Sequence, residues 1–224
     1  MMNCLPIHPR TANGGFSLIE MAVALVIVGL LLGGLMMPLS LQMDNARRKD
    51  TERTQSALLE AVYGHAISNG RLPCPDINND GMEDRVGGNC VSAFGGLPWA
   101  SLGTGQNDAW GRGFVYRVTP TFADSTDGTG CTTATPGVSF SLCSTGDIEV
   151  RNSAVGQVLA SNLAAIVVSQ GANAGAAAAA DEIENTDNDA IFVSRTQAAD
   201  FDDLVAWVVP GILLNRMVVT GRLP

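Results

Sequence analysis

The feature that most constrains this chain is an uncharged apolar run of 19 residues, positions 21–39. About 20 such residues in an α-helix cover a hydrocarbon layer ~30 Å thick, so the run predicts a membrane-spanning helix. One carboxylate, Glu20, lies at its leading edge. An ionised Glu inside lipid costs ~2.5–3.5 kcal/mol even on lenient insertion scales. Glu20 must therefore either reach water at the headgroups or find a counter-charge.

The residues before the run carry a more specific signal. Gly14-Gly15-Phe16-Ser17-Leu18-Ile19-Glu20 resembles the processing site of prepilins, the precursors of type IV pilins and of type II secretion pseudopilins. The resemblance implies that a prepilin peptidase cuts between Gly15 and Phe16 and that Phe16 is N-methylated. It also implies that Glu20 pairs with the new terminal amine of a neighbouring subunit. A buried carboxylate and a buried ammonium are each costly alone, and each relieves the other.

The resemblance and the change of composition along the chain divide the chain into four parts. Residues 1–15 are the cleaved leader, which has no apolar core of its own and so is not a secretory signal peptide. Residues 16–41 are the transmembrane and assembly half of a long helix, and residues 42–69 are its amphipathic half. Asn69-Gly70 and then Pro73 end the helix. Residues 70–224 are long enough for one globular domain.

The charge balance argues against one class of partner. The chain has 13 basic and 22 acidic residues, a formal net charge of −9. An acidic domain repels nucleic-acid backbones, which proteins bind mainly through Lys and Arg. Nucleic acid is therefore not an expected partner. The expected partners are prepilin peptidase, other pilin or pseudopilin subunits, and inner-membrane lipid before assembly.

Four cysteines remain after the leader. Cys74 and Cys90 form one close pair in sequence, and Cys131 and Cys143 form another. Local bridges within each pair are the natural expectation, although four cysteines allow three connectivities. A zinc site is the alternative, but the chain has no Cys-x-x-Cys spacing. Disulfides indicate an oxidising compartment, which places the domain in the periplasm or on the cell surface.

The topology has one contrary signal. Arg47, Arg48, Lys49 and Arg53 follow the apolar run, whereas Arg10 and the terminal amine precede it. The positive-inside rule alone would place the C-terminal part in the cytoplasm. The cysteines and the prepilin resemblance favour the opposite orientation: a single-pass protein of the bacterial inner membrane with a periplasmic C-terminal domain, or a subunit of a surface filament.

The sequence of the globular part, residues 70–224, predicts a β-sheet. Alternation at Phe114, Tyr116 and Val118 indicates a strand, and the preceding Asp108-Ala109-Trp110-Gly111 resembles the segment that opens the sheet of major pseudopilins. Further strands are predicted at 138–142, 148–151, 164–169, 191–194 and 201–209, with a helical turn at 155–161, a loop at 172–180 and a helix at 212–219. The expected fold class is α+β and pilin-like: a long N-terminal α-helix, membrane-spanning in its first half, packed on a C-terminal antiparallel sheet with long disulfide-closed loops.

Two loops suggest structural Ca²⁺. The first contains Asp76, Asn78, Asp80 and Asp84 in a D-x-N-x-D-G-x-x-D pattern. Alternating oxygen side chains with Gly at the sixth place allow a short loop to wrap Ca²⁺, although the twelfth position holds Gly87 where an EF-hand has Glu. The alternative is a turn cluster closed by a disulfide.

The second loop rests on a resemblance. Residues 169–173 with Asp187-x-Asp189 resemble the calcium-binding loop of major pseudopilins, which implies metal ligands at Asp187 and Asp189. The alternative is a solvated acidic loop. The adjacent Asp202 and Asp203 are not expected to share a site, because neighbours on a strand point to opposite faces. No cofactor is expected to be required.

The chain shows no sign of an enzyme. After the leader it has one histidine, His65, and it lacks a P-loop, Gly-x-Gly-x-x-Gly and Gly-x-Ser-x-Gly. The first hypothesis is a structural subunit of a type IV pilus or a type II secretion pseudopilus, polymerised through its N-terminal helix. The second is a minor tip subunit that acts as an adhesin or ligand-binding module. The third, an anchored hydrolase using Asp or Glu, is the least supported.

Overall fold

The computed structural model describes residues 15–125, 135–174 and 179–223, apart from the side chains of residues 32–41. The chain forms two compact units, Met1–Asn45 and Ala46–Pro224. In chain order the elements are α1 (Leu18–Asn69), β1 (Arg85–Val86), β2 (Asn89–Cys90), β3 (Phe94–Gly96), α2 (Trp99–Leu102), β4 (Val115–Val118), α3 (Pro120–Ala123), β5 (Ile148–Arg151), β6 (Val158–Leu163), β7 (Ala165–Ser169), α4 (Ala180–Glu184), β8 (Ile191–Val193), β9 (Leu204–Val208) and α5 (Pro210–Val219).

The first unit consists, as far as it is described, of the start of α1. The predicted helix is confirmed, and it ends at the predicted residue, Asn69. The side chains of residues 15–31 are all exposed, including the large apolar ones. Within the described part of the chain, no helix meets the combined requirement of length and apolarity for crossing a membrane. Eight of the 19 residues of the predicted span, residues 32–39, lie outside the described side chains.

The second unit is built on a four-stranded sheet in the order β3-β4-β7-β9, antiparallel throughout. The central strand β7 is buried along its whole length. Its alternate residues serve two cores, because successive side chains on a strand point to opposite faces. Ala165 and Val167 belong to a cluster with Leu58 and Val62 of α1, and Ile166 belongs to a second cluster.

The second core lies against a sheet that the sequence did not suggest. The three strands β6-β5-β8 form it, and their buried residues include Ile148, Val150 and Phe192. The expected antiparallel sheet is confirmed in β3-β4-β7-β9, whereas the second sheet contains one parallel pair, β5–β8. The fold class α+β is confirmed, with helices on one face of the main sheet and a second sheet on the other.

Most predicted strands are present within a few residues of their expected ends, namely β4, β5, β7, β8 and β9. The predicted strand at 138–142 is wrong. Its backbone makes one sheet-like bond, from the Ser139 amide to the Gly70 carbonyl, and then turns at Ser141–Ser144. Phe140 is nevertheless buried, with its ring centroid 5.2 Å from that of Phe122. The apolar residues of this segment reflect core packing in a loop.

The helical turn predicted at 155–161 is also wrong, because that segment enters strand β6. The Asn152 carboxamide oxygen accepts the Gln157 amide, and the Asn152 amide donates to the Gln157 carbonyl. These bonds turn the chain so that β6 pairs with β5. A loop was expected at 172–180. Residues 172–174 form a turn, and helix α4 begins at Ala180. Residues 175–178 lie outside the described residues.

Candidate functional site

The predicted processing and assembly site lies at the N-terminal end of α1, with Glu20 in the first turn of the helix. Gly15, Phe16 and Ser17 precede the helix, and Phe16 is 78% exposed. The Glu20 amide donates to the Ser17 hydroxyl oxygen at 3.3 Å, and the Met21 amide donates to the Ser17 carbonyl at 3.2 Å. Ser17 thus caps the helix, and Ser-x-x-Glu is the capping-box pattern. This cap has a local sequence signal, Ser17-Leu18-Ile19-Glu20.

Glu20 therefore has an intramolecular role as well as the predicted intermolecular one. It is the acidic residue of the first helical turn, where the amide groups of the helix end favour a negative charge. Its side chain is exposed in the subunit. Exposure leaves the carboxylate accessible to a cation from outside the chain, as the prepilin resemblance requires.

The cysteines behave largely as expected. Cys74 and Cys90 form a disulfide that closes a loop of sequence separation 16. Cys143 is also disulfide-bonded, whereas Cys131 lies outside the described residues, so the Cys131–Cys143 pairing stays a prediction. The carboxylate of Asp124 lies within 4.8 Å of the sulfur atoms of the first bridge. These oxidised sulfurs are not thiolates, the form in which cysteine binds zinc.

The first predicted calcium loop is closed by its own hydrogen bonds. The two carboxylate oxygens of Asp76 accept the amides of Asn79 and Gly81, both at 2.7 Å. Asp84 accepts the Ile77 amide at 2.7 Å, and Asp80 accepts the Met82 amide at 2.8 Å.

These bonds determine what the first loop offers to a metal. Among the described residues, the carboxylates of Asp76, Asp80 and Asp84 do not form a group with all ligand atoms within 4.8 Å. Asn78 uses its side-chain oxygen to accept the Asp80 amide. Gly81 has φ +84°, and a Cβ there would lie 2.4 Å from the Trp99 ring. Turn formation and packing on Trp99 thus account for the Gly of the pattern, and calcium binding in this loop stays a prediction.

The second predicted calcium pair is brought together with a residue that the sequence did not indicate. Asp187 and Asp189 lie with Glu184, at the end of α4, with one carboxylate oxygen from each within 4.8 Å of the others. Both aspartates are exposed. Partial burial, and then repulsion from Asp189 and Asp187, raises the pKa of Glu184. The group is an accessible acidic cluster, and calcium binding there stays a prediction.

A third group overturns an expectation. Asp202 and Asp203 do share a site, because their carboxylates lie with that of Glu182 within 4.8 Å of one another. Alternation applies only within a strand, and both residues precede β9, which begins at Leu204. Glu182 and Asp203 are 6% and 5% exposed.

Burial and mutual repulsion shape the electrostatics of this third group. Burial, with the Glu182 and Asp202 charges, raises the pKa of Asp203 to about 7, against the opposing effect of a 2.7 Å hydrogen bond from the Asn185 amide. Burial likewise raises the pKa of Asp202, although the amides of Ala172 and Asn173 donate to it. The folded protein therefore holds protons on Asp202 and Asp203 more readily than on isolated carboxylates.

The remaining ionisable residue of interest is His65. It lies on α1, half-buried, with Nε2 lacking a hydrogen-bond partner. Burial lowers the pKa of His65, partly offset by the nearby Glu83 carboxylate. A half-buried imidazole with a lowered pKa on a packed helix has the character of a packing residue.

The comparisons with known proteins bear on the N-terminal segment. Residues 10–36 match the family model described as the prokaryotic N-terminal methylation motif. No curated protein matches the chain, and no solved structure matches it. The matched residues contain the glycine pair, Phe16, the helix start and Glu20 described above. The chain therefore carries, at residues 10–36, the signature of the prepilin-type segments of type IV pilins and pseudopilins.

Proposed function

We propose that this chain is a structural subunit of a type IV pilus or a type II secretion pseudopilus. The methylation motif at residues 10–36 carries the proposal. In this proposal prepilin peptidase cuts between Gly15 and Phe16, Phe16 is N-methylated, and the processed subunits polymerise through α1. The protein has no catalytic role and requires no cofactor.

The described start of α1 supports this role. Its side chains from Phe16 to Leu31 are exposed in the isolated subunit, including Leu18 at 94% and Leu25 at 70%. A contiguous apolar surface of this kind favours lipid or a protein partner over water. Before assembly the partner is inner-membrane lipid, and afterwards it is the same segment of neighbouring subunits. The proposed orientation is single-pass, with the C-terminal domain in the periplasm.

Glu20 supplies the specificity of assembly. Cleavage after Gly15 creates an ammonium group at Phe16. In the processed chain Phe16 is the first residue and Glu20 the fifth. A neighbour's ammonium then pairs with the exposed Glu20, and two charges that are costly in an apolar setting neutralise each other. Processing and polymerisation are linked because the counter-charge does not exist until the peptidase has acted.

The Cys74–Cys90 disulfide supports placing the C-terminal domain in the periplasm. Cys74–Cys90 lies in the second unit, and such bridges persist in oxidising compartments such as the periplasm. A periplasmic domain also agrees with the topology that prepilin processing demands. This observation outweighs the basic residues Arg47–Arg53, which by the positive-inside rule alone favour the opposite orientation.

The first experiment tests processing. Intact-mass analysis of the chain from the membrane fraction should show methyl-Phe16 as its first residue. Gly15→Trp should leave the leader attached, whereas Gly14→Ala, one position away, should be processed normally. Cleavage of the Gly15→Trp chain at the same bond, or an intact leader in the unaltered chain, contradicts the proposal.

The second experiment separates the two roles of Glu20. Glu20→Gln keeps the size of the side chain and removes its charge, while Ser17→Ala removes the hydroxyl that caps α1. If Glu20 acts in assembly, Glu20→Gln should reduce filament yield at least tenfold, and Ser17→Ala should reduce it much less. Equal losses would indicate that helix capping alone matters. Immunolabelling along the filament shaft supports the structural subunit, and labelling only at the end supports the alternative of a tip adhesin or ligand-binding module.

A further inference from the structure

Strand β6 is an edge strand of the second sheet. Among the described residues it pairs with β5 alone, whereas β5 also pairs with β8 on its other side. The opposite edge of the sheet is partly closed, because the Asn185 side chain accepts the Val193 amide at 2.7 Å and donates to the Val193 carbonyl at 3.1 Å. Within the described part of the chain, no side chain bonds the backbone of residues 158–162 in this way. An edge strand presents backbone N–H and C=O groups that another strand can pair with.

The side chains of β6 are also largely uncovered. Of its residues only Leu163 is buried, so neither face of the strand is packed along its length. The apolar residues in this stretch are among the exposed ones: Val158 is 51%, Leu159 55% and Val155, in the turn before the strand, 96% exposed. A contiguous exposed apolar surface of this kind marks a site of interaction with another protein.

The charges around β6 indicate which protein. Residues 152–180 contain no charged residue, although the chain as a whole carries a net charge of −9. The charged residues beside the strand are balanced in ion pairs, Arg151 with Glu149 and Arg195 with Asp181. Two copies of an acidic chain repel each other over most of their surfaces, but at this edge they can approach without like charges facing each other.

The edge also lacks the features that natural proteins use to prevent self-pairing. Charged side chains and Pro on an edge strand block its pairing with a second chain. The β6 sequence, Val-Leu-Ala-Ser-Asn-Leu, contains neither. Antiparallel pairing of two identical strands is two-fold symmetric, so the same surface serves both partners.

We propose that β6 is a self-association edge, at which β6 of one subunit pairs antiparallel with β6 of a second copy about a two-fold axis. The two three-stranded sheets then form one continuous six-stranded sheet. The contact goes beyond the proposed filament role, because it joins two globular domains without using α1. One strand pair buries little surface, so the dimer should be weak, with a dissociation constant on the order of 10 µM.

The first experiment measures sedimentation velocity of the full chain in detergent micelles over a concentration range of about 1–200 µM. The unaltered chain should shift from monomer to dimer across this range. Leu159→Lys brings like charges together across the axis and should raise the dissociation constant at least about tenfold. Val219→Lys, at a valine of α5 that is 78% exposed, is the matched control and should leave the dimer unchanged. Circular dichroism and the unfolding temperature verify that both variants are folded.

The second experiment tests the two-fold geometry by disulfide cross-linking under mild oxidation. In a two-fold antiparallel pair one residue lies opposite its own copy, with Cβ atoms about 4.5–5.5 Å apart, close enough for a disulfide with a small adjustment. One variant should therefore cross-link several times faster than its immediate neighbours in the series Val158→Cys, Leu159→Cys, Ala160→Cys, Ser161→Cys and Asn162→Cys. Val219→Cys should not cross-link.

Three results would overturn the proposal: a chain that stays monomeric at the highest concentration, a dimer that Leu159→Lys leaves unchanged, or equal cross-linking at all five positions. A dimer that survives Leu159→Lys would indicate association through α1 or another surface. Filament yield is measured separately on Leu159→Lys. Because filament assembly depends on α1, normal filaments alongside any of these results leave the proposed function standing.

Discussion

Arg222, two positions before the last residue of the sequence, caps the end of helix α1: its Nε donates to the Ile67 carbonyl oxygen at 2.6 Å. A second guanidinium nitrogen donates to the Ser68 carbonyl at 2.5 Å. The last carbonyls of a helix have no intrahelical donor, and a cation there is favoured by the helix dipole. The C-terminal segment thus completes an element that begins more than 150 residues earlier in the chain.

Arg222→Ala should therefore destabilise the domain. Two charged hydrogen bonds to otherwise unpaired carbonyls are lost, so the free energy of unfolding should fall by about 1–3 kcal/mol. Urea denaturation followed by circular dichroism measures this change. Arg53→Ala removes an arginine of the same helix whose side chain is 80% exposed and pairs with Asp50 at 3.5 Å, and it should change stability by less than about 0.5 kcal/mol. Equal effects of the two substitutions would contradict the capping role.

Arg216 of α5 joins the same helix through a charge pair and a ring. It makes a bidentate pair with Glu60 at 2.5 and 2.7 Å, and its guanidinium carbon lies 4.2 Å from the Tyr63 ring centroid. The hydrogen bond from Arg216 lowers the pKa of Glu60. Glu60 is 62% exposed, so the ion pair itself should contribute only about 0–1 kcal/mol.

Arg216→Ala should consequently cost more stability than Glu60→Gln, because it also removes the contact with Tyr63. A double-mutant cycle from urea denaturation should give a coupling energy below about 1 kcal/mol for the two residues. A coupling energy equal to the whole loss in Arg216→Ala would show that the ring contributes nothing.

The hydrogen bonds to Asp147 lead us to expect that the stability of the domain depends on pH. Arg117 donates to it twice, at 2.8 and 2.9 Å, and the Thr119 hydroxyl donates at 2.6 Å. Burial alone raises the pKa of Asp147, but the bonds from Arg117 and Thr119 outweigh burial and lower it overall. A carboxyl whose pKa is lowered in the folded state adds stability above its unfolded pKa, and this stability is lost as the pH falls through the folded pKa.

The Asp147→Asn variant isolates that contribution. At pH 7 it should lower the free energy of unfolding by about 1 kcal/mol, because Arg117 is only 8% exposed and loses its counter-charge, while water partly screens Asp147, which is 46% exposed. The difference between the two proteins should shrink as the pH falls below about 4. Urea denaturation from pH 3 to pH 7 measures it, and Asp50→Asn, at an exposed pair, serves as the control. A pH-independent difference would contradict the role of the charge.

The Cys74–Cys90 bridge should be a main source of stability for its loop. A bridge closing a loop of sequence separation 16 constrains the unfolded chain by about 3 kcal/mol in the chain-entropy model. The Cys74→Ser, Cys90→Ser double variant should lose about that much free energy of unfolding. Because Cys143 is also disulfide-bonded, a reductant removes more than this bridge, and the double variant is the cleaner measurement. A loss below about 1 kcal/mol would indicate that the local hydrogen bonds already hold the loop.

Local signals identified several parts of this fold. The start of the long helix, its end at Asn69-Gly70, and strand β5 were predictable because caps, turn residues and period-two alternation depend on neighbours in sequence. The sequence Gly-Arg-Leu-Pro occurs after both α1 and α5. In both copies the Gly has positive φ, +73° at Gly70 and +71° at Gly221, and the Leu that follows is buried.

Strand pairing between distant segments determined the parts of the fold for which the prediction from sequence was wrong. Strand β6 was predicted as a helical turn, yet it pairs with β5 through bonds between residues 148–151 and 158–163. The parallel partner of β5, strand β8, lies about 40 residues away along the chain. A segment whose apolar pattern fits both helix and strand takes the conformation that its distant partners select.

The sequence by itself determined the character of the N-terminal segment. The glycine pair, Phe16, Glu20 and the apolar run form a motif that is defined by the order of its residues. Only the tertiary structure decided that Glu182, Asp202 and Asp203 converge and that Arg222 closes helix α1. The physical reason is that a motif read by a peptidase or a membrane is local, whereas a cluster of charges forms only where folding brings distant backbones within hydrogen-bonding range.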